Sequence, residues 1–221
     1  ISKLVVGDLG VPPLFYAAAR FLVVALVVCP WLLPLPRPLW RMVVVALCMG
    51  AGSFGLVFMG LQTASPSTVA IVSQLGVPIT TLLSVLVLGE VIQWRRRLGI
   101  ALAFLGTLLV MWDPSGLSVS VGLLYVAGSA LAASVGAVMM KQIEGVRPLQ
   151  FQAWVGAASF VPLAVGSALF ESNAFGKAIA GGWIFLFSLA FAALVVSVFA
   201  HTAYYGLIRR YEANLVAPLT L

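Results

Sequence analysis

The sequence predicts an all-α protein that crosses a membrane several times, and three observations carry that prediction. Of 221 residues, 62% are hydrophobic and only 8% charged, with a mean hydropathy of +1.14; soluble domains carry about 25% charged residues. Seven apolar runs approach the ~20 residues that a helix needs to cross the hydrocarbon core. Every connection between them is short, which leaves no room for a soluble domain.

The expected spans are Pro12–Leu33, Met42–Leu61, Ser67–Leu88, Leu98–Trp112, Val121–Met140, Leu149–Phe170 and Trp183–Ile208, and an eighth begins near Ala213. Leu98–Trp112 is short, and Trp94 with the stems of Arg96 and Arg97 extends it to the interface. The chain opens at Ile1 and stops at Leu221, inside an apolar run, so a fragment lacking both ends is expected. Lys3 and Asp8 bracket a stretch too short for a signal peptide. Cys29 and Cys48 sit in apolar runs with no disulfide or metal-ligand pattern, and are expected as small buried packing residues.

A net charge of +6 suggests nucleic acid until its distribution is considered. With loops placed alternately on two sides, Arg37, Arg41, Arg95, Arg96, Arg97, Lys141, Arg147, Arg209 and Arg210 share one side; Lys3 and Lys177 fall on the other. Loops rich in Lys and Arg stay cytoplasmic, so this asymmetry orients the chain and removes nucleic acid as a partner. Its partners are then the lipid bilayer and a small-molecule substrate, with a homodimer left open.

An internal repeat sets the organisation. VPPLFYAAA at Val11 resembles VRPLQFQAW at Val146, matching Pro13 to Pro148, and GLQTASPSTVA at Gly60 lines up with GLIRRYEANLV at Gly206. The paired spans lie five helices apart. An odd spacing reverses direction, so the halves are expected to have inverted topology, as is common in secondary transporters.

Polar groups inside the spans are the candidate working residues. Pro78 has no N–H to give the carbonyl of Gln74, and an unpaired carbonyl in hydrocarbon needs a partner or a wet cavity. Gln74, Pro78, Thr81 and Ser67 share a helical face, expected to border a central cavity; a kink that only improves packing is the alternative. Asn214 stands four residues before Pro218 in a similar arrangement. Arg20 is the one full charge deep in a span, about 10 Å below the outer surface by helical rise. It either meets a substrate carboxylate through its guanidinium fork or holds neighbouring carbonyls. Ser197, His201, Tyr204 and Tyr205 recur at helical spacing. His201, the sole histidine, is either bonded to a facing helix or a proton site, an imidazole ordinarily titrating near ~6.5. Ala51, Gly55 and Gln62, and Gly128, Ala132 and Gly136, lie at helix-contact spacing. Glu90 is expected to pair with the cluster Arg95 to Arg97.

Several stretches resemble the EamA family of the drug/metabolite transporter superfamily. PPLFYAAARFLVVAL (Pro12–Leu26) resembles its second helix, and LGE at Leu88–Glu90 followed by RLGIALAFLGTLLV (Arg97–Val110) resembles the junction of its fourth and fifth. RYEANLVAPLTL (Arg210–Leu221) is similar to the O-acetylserine/cysteine exporter branch. The resemblance implies a ten-helix fold of two inverted five-helix repeats, here truncated to about seven complete spans. Residues 1–112 would hold the tail of helix 1 to helix 5, and residues 121–221 helix 6 to the start of helix 9.

The function expected is secondary transport without a cofactor: export of small polar metabolites, amino acids or derivatives such as cysteine and O-acetylserine, across a bacterial cytoplasmic membrane. No phosphate-binding loop is present for ATP hydrolysis. The competing classes are an intramembrane enzyme, which lacks a catalytic constellation here, and a structural membrane protein, which would not require the repeat or the midplane polar groups.

Overall fold

The computed structural model describes residues 4–111 and 121–216, and the described residues form helices without a strand. A π-helical turn at Leu4–Asp8 leads into α1, Pro13–Val27, followed by a 3-10 turn at Cys29–Leu32. The later helices are α2 (Leu39–Gly60), α3 (Ser67–Leu88), α4 (Trp94–Met111), α5 (Val121–Lys141) and α6 (Pro148–Phe170). The short α7 (Ala174–Ala180), the long α8 (Gly182–Arg210) and α9 (Ala213–Val216) complete the order. Five of these, α2, α3, α5, α6 and α8, are long and apolar enough to cross a membrane. Helix α1 and the apolar part of α4, Arg97–Gly106, are shorter apolar helices.

Each expected span has its helix, with shifts at the ends. The first stops at Val27 rather than Leu33, because Pro30 and Pro34 cannot continue an α-helical ladder. That early stop corrects the placement of Cys29, which is exposed on the 3-10 turn; Cys48 is half-buried. The fourth begins at Trp94, four residues before the apolar run. Trp112 and Ser118 lie outside the described residues, as do Pro218 and the rest of the last apolar run.

Two contact sets define the ends of the bundle. At one end Lys141 pairs with Glu90 at 2.6 Å, Gln150 donates to the Pro34 carbonyl, and Arg209 lies over the Phe151 ring. These contacts bring basic loops to a common end, as the charge asymmetry predicts. They also give Glu90 a partner that its own loop does not supply, since Lys141 reaches it from the end of α5. At the opposite end Glu171 Oε1 and Oε2 accept the backbone N–H groups of Leu14 and Phe15 at 2.7 and 2.8 Å. Pro13 has no donor, so Glu171 satisfies the next two orphan donors of α1 from the far end of α6.

Small residues let the helices approach. A Cβ on Gly50 would fall 1.8 Å from Ser159 Oγ, and one on Gly136 would fall 2.4 Å from Met49. Gly60 and Gly122 face each other with similar closeness, and Gly55 lies against Leu163. This is membrane helix packing by small side chains. The outward surface is apolar: Leu86, Leu105, Leu109, Val161, Leu169 and Phe199 are exposed along the helices, and Trp40, Trp94 and Trp183 are exposed near the ends. Lipid covers such a belt, with tryptophans at its rims.

Helices α2 and α8 each contain a π-helical segment, Cys48–Gly52 and Phe191–His201. In α2 the cause is visible. Ser159 Oγ accepts the Ala51 N–H at 2.9 Å and donates to the Ala46 carbonyl at 3.3 Å, so a side chain is inserted into the ladder. At the offset aligning Gly60 with Gly206, residues 48–52 correspond to 194–198, inside the second π segment.

Candidate functional site

Two adjoining cavities lie between the helices, of about 390 Å³ and about 660 Å³, in the size range of small-molecule sites, and the larger reaches the outward surface at Phe199, Ala200, Ala203 and Leu207. Both are lined by Ser53, Phe54, Ala133 and Tyr204, so they form one chamber in two lobes. The smaller lobe is walled by Ser73, Gly76, Val77 and Thr80 of α3 and by Ser129 and Ser134 of α5. The larger is bordered by His201 and Tyr205 of α8, and by Met49 and Val216.

Hydroxyls of the smaller lobe are tied to backbone rather than left free. Thr80 donates to Ser134 Oγ at 2.9 Å, while the Ser134 hydrogen has two acceptors in reach, the carbonyls of Ala130 (2.7 Å) and Gly76 (3.1 Å). Ser129 donates to the Ser53 carbonyl at 2.8 Å. These bonds join α3 and α2 to α5. The serine and threonine hydroxyls of this lobe are thus satisfied within the protein, as an apolar surrounding demands.

Arg20 is buried behind this chamber, 4% exposed. Its Nε donates to Ser197 Oγ at 2.7 Å, and its guanidinium carbon lies 4.6 Å from the centroid of the Phe54 ring. Nη2 has no hydrogen-bond partner among the described residues. The other face of the aromatic cluster is built by Phe21 and His201, at ring distances of 5.4 and 5.6 Å from Phe54. His201 also stacks on Tyr205 at 6.3 Å.

The sequence grouped Ser197, His201, Tyr204 and Tyr205 on one helical face and singled out Arg20 separately; the structure brings Arg20 against Ser197 and sets both Arg20 and His201 on the Phe54 ring. Ser197 and His201 belong to the π segment of α8 and Tyr205 to the α-helical turns after it, and the spacing of four sets all three on one side of the helix.

Gln74, Pro78 and Thr81 are corrected. Helix α3 does break beside them, its two halves being Pro66–Ser73 and Gly76–Leu88. However, the Gln74 carbonyl accepts the Val77 N–H at 3.1 Å, so it is not orphaned by Pro78. The Gln74 side chain is exposed on the outer surface. Pro78 and Thr81 border a separate, apolar crevice of about 420 Å³ against α4, with Leu82, Val85 and Phe104. Thr81 Oγ1 is buried there without a partner among the described residues. The opposite face, Ser73, Gly76, Val77 and Thr80, lines the chamber. Ser67 is exposed, close to the N-cap Ser65. Asn214 falls in α9, but its side chain lies outside what is described.

Sequence reasoning missed Ser53, Phe54, Ser73, Thr80, Ser129 and Ser134. The signal was available in part: Ser73 and Thr80 are two turns apart on a single face. What the sequence lacked was the matching face of α5, whose serines point to Ser53 and Gly76.

The apolar spans, with a cavity between them, define a multi-pass membrane bundle. Residues 1–112 match the model of the EamA-like transporter family, half of the chain, and the protein belongs to that family. Two curated relatives align over 98% of this chain and 75% of their own length. They are the "Probable amino-acid metabolite efflux pump" of Escherichia coli strain K12, 26% identical, and that of Salmonella typhimurium strain LT2, 27% identical. A crystal structure, 20% identical, superposes with a TM-score of 0.72 over 99% of this chain and 78% of that one, which establishes the shared fold.

Proposed function

We propose that this protein exports small polar metabolites, amino acids or close derivatives of them, across a bacterial plasma membrane, and that the two-lobed chamber is the substrate site. The observation that carries the proposal is the placement of Ser53, Thr80, Ser129, Ser134, His201 and Tyr204 around one cavity near the middle of apolar helices. Polar groups at that depth are costly, and transporters place them where substrates pass. The printed names of the two bacterial relatives support the substrate class. Cysteine and O-acetylserine are the finer candidates, on the likeness of Arg210–Leu221 alone.

The architecture proposed is two inverted repeats, 1–112 and 121–221, within a ten-helix whole. The correspondence of the π segments of α2 and α8 at the Gly60 to Gly206 offset supports it. The chamber lies between α2 and α3 of the first unit and α5 and α8 of the second.

The test is amino-acid counterflow in proteoliposomes holding the full-length protein. Counterflow of at least one small amino acid is expected. Thr80→Val combined with Ser134→Ala should weaken apparent affinity by roughly 1–3 kcal/mol, the cost of leaving a buried polar partner unpaired. Absence of counterflow for every amino acid and derivative tried would contradict the proposal.

A further inference from the structure

Arg20 is held but not saturated. One guanidinium nitrogen bonds Ser197, the π face is covered by Phe54, and Nη2 has no partner among the described residues. Arg20 borders neither lobe of the chamber, whereas Phe54 borders both. The ring is thus the partition between a desolvated cation and the space where a substrate would sit.

We infer that Phe54 is an aromatic lid over a carboxylate-binding subsite formed by Arg20 and Ser197, and that it selects substrates carrying a carboxylate. The inference rests on the chamber being the substrate route and adds to it the substrate's recognised group. In the closed state the guanidinium is stabilised by the ring quadrupole, a substitute that needs no anion. An amino acid entering the chamber offers a better partner, a carboxylate that accepts charge-assisted bonds from the guanidinium edge. Displacing the ring makes that edge available. A ligand without a carboxylate cannot compensate for the lost cation–π contact, so the lid stays shut against it. Phe54 borders the open volume of both lobes, and Phe21, Phe58 and His201 pack around the rest of its ring.

The subsite is tested by modification of Arg20 with phenylglyoxal, quantified by peptide mass spectrometry on the full-length protein. Labelling of Thr80→Cys by a small thiol reagent reports separately whether the chamber is open to water. Arg20 should be nearly unreactive in the wild type and at least tenfold more reactive in Phe54→Ala. Phe54→Leu, which retains bulk but no aromatic face, covers the case in which the smaller side chain unfolds the protein, and it should also raise the rate. Among L-alanine, L-serine, L-cysteine and O-acetyl-L-serine, screened singly, at least one should protect Arg20 in the lid variants, and its decarboxylated amine should not. Equal reactivity in wild type and both lid variants, with Thr80→Cys labelled, would overturn the lid and leave the chamber standing. Protection by no amino acid, or equally by the amine, would overturn the carboxylate assignment. An unlabelled Thr80→Cys would instead remove the chamber on which the inference rests.

Discussion

The Ser159 hydroxyl of α6 accepts the backbone N–H of Ala51 in α2 at 2.9 Å, inside the π segment that sets the inward face of Ser53 and Phe54. One serine therefore links helix packing to chamber geometry. Ser159→Ala removes the acceptor of this part-buried N–H and should cost about 0.5–1.5 kcal/mol, the net worth of a typical hydrogen bond. Thermal unfolding of the purified protein should show the loss. An unchanged melting temperature would mean that α2 holds its widened turn without help from α6.

Gly50 lies opposite the same serine, and a Cβ there would sit 1.8 Å from Ser159 Oγ. Gly50→Ala should be destabilising by about 1–3 kcal/mol, because overpacking forces side chains or backbone to shift. Gly76→Ala, where a Cβ meets nothing within 4 Å, is the matched control for stability. Equal melting temperatures for the two variants would contradict the close α2–α6 crossing.

Glu171 satisfies the first free donors of α1 from the end of α6. Glu171→Ala should destabilise the protein by about 0.5–2 kcal/mol, in line with the loss of an anionic cap at a helix N-terminus. Glu171→Gln, which keeps an acceptor, should lose less. The ordering of the three melting temperatures is the measurement, and an alanine variant as stable as wild type would show the contact to be incidental.

Orientation is open to direct labelling. In protein whose Cys29 and Cys48 have been replaced, Ser65→Cys should react with an impermeant thiol reagent applied outside intact cells. Pro38→Cys and Gln93→Cys, beside the basic loops, should react only after the membrane is opened. The reverse pattern would overturn the orientation drawn from the loop charges.

The spans, the common end of the basic loops, the burial of Arg20 and the shared face of Ser197 and His201 were legible in the sequence because each depends on a local property. A long apolar run must be helical in lipid, and a charge in it must face inward. The facing of α3 was not legible. Residues 73, 76, 77 and 80 and residues 74, 78 and 81 form two faces of one helix, and both carry polar groups. Gln74 and the proline drew attention to the second. The choice is made by α5, whose Ser134 bonds Gly76 and Thr80, and a contact between distant segments leaves no mark on the periodicity of either. Lys141 as a partner of Glu90 was missed for the same reason: it arrives from another helix, while the arginines weighed for that role are near neighbours in sequence.

Ser73 and Gln74 are adjacent in the chain, yet Ser73 borders the chamber while Gln74 does not and is exposed. Substituted cysteines at these two positions, in full-length protein otherwise free of cysteine, therefore test the substrate route most directly. Amino-acid counterflow is measured in proteoliposomes before and after treatment with a small, charged thiol reagent. Modified Ser73→Cys should lose most of its transport, and a transported amino acid should slow that loss, while Gln74→Cys should keep its activity under the same treatment. Inhibition through Gln74→Cys with Ser73→Cys unaffected would place the route on the other face of α3 and contradict the chamber.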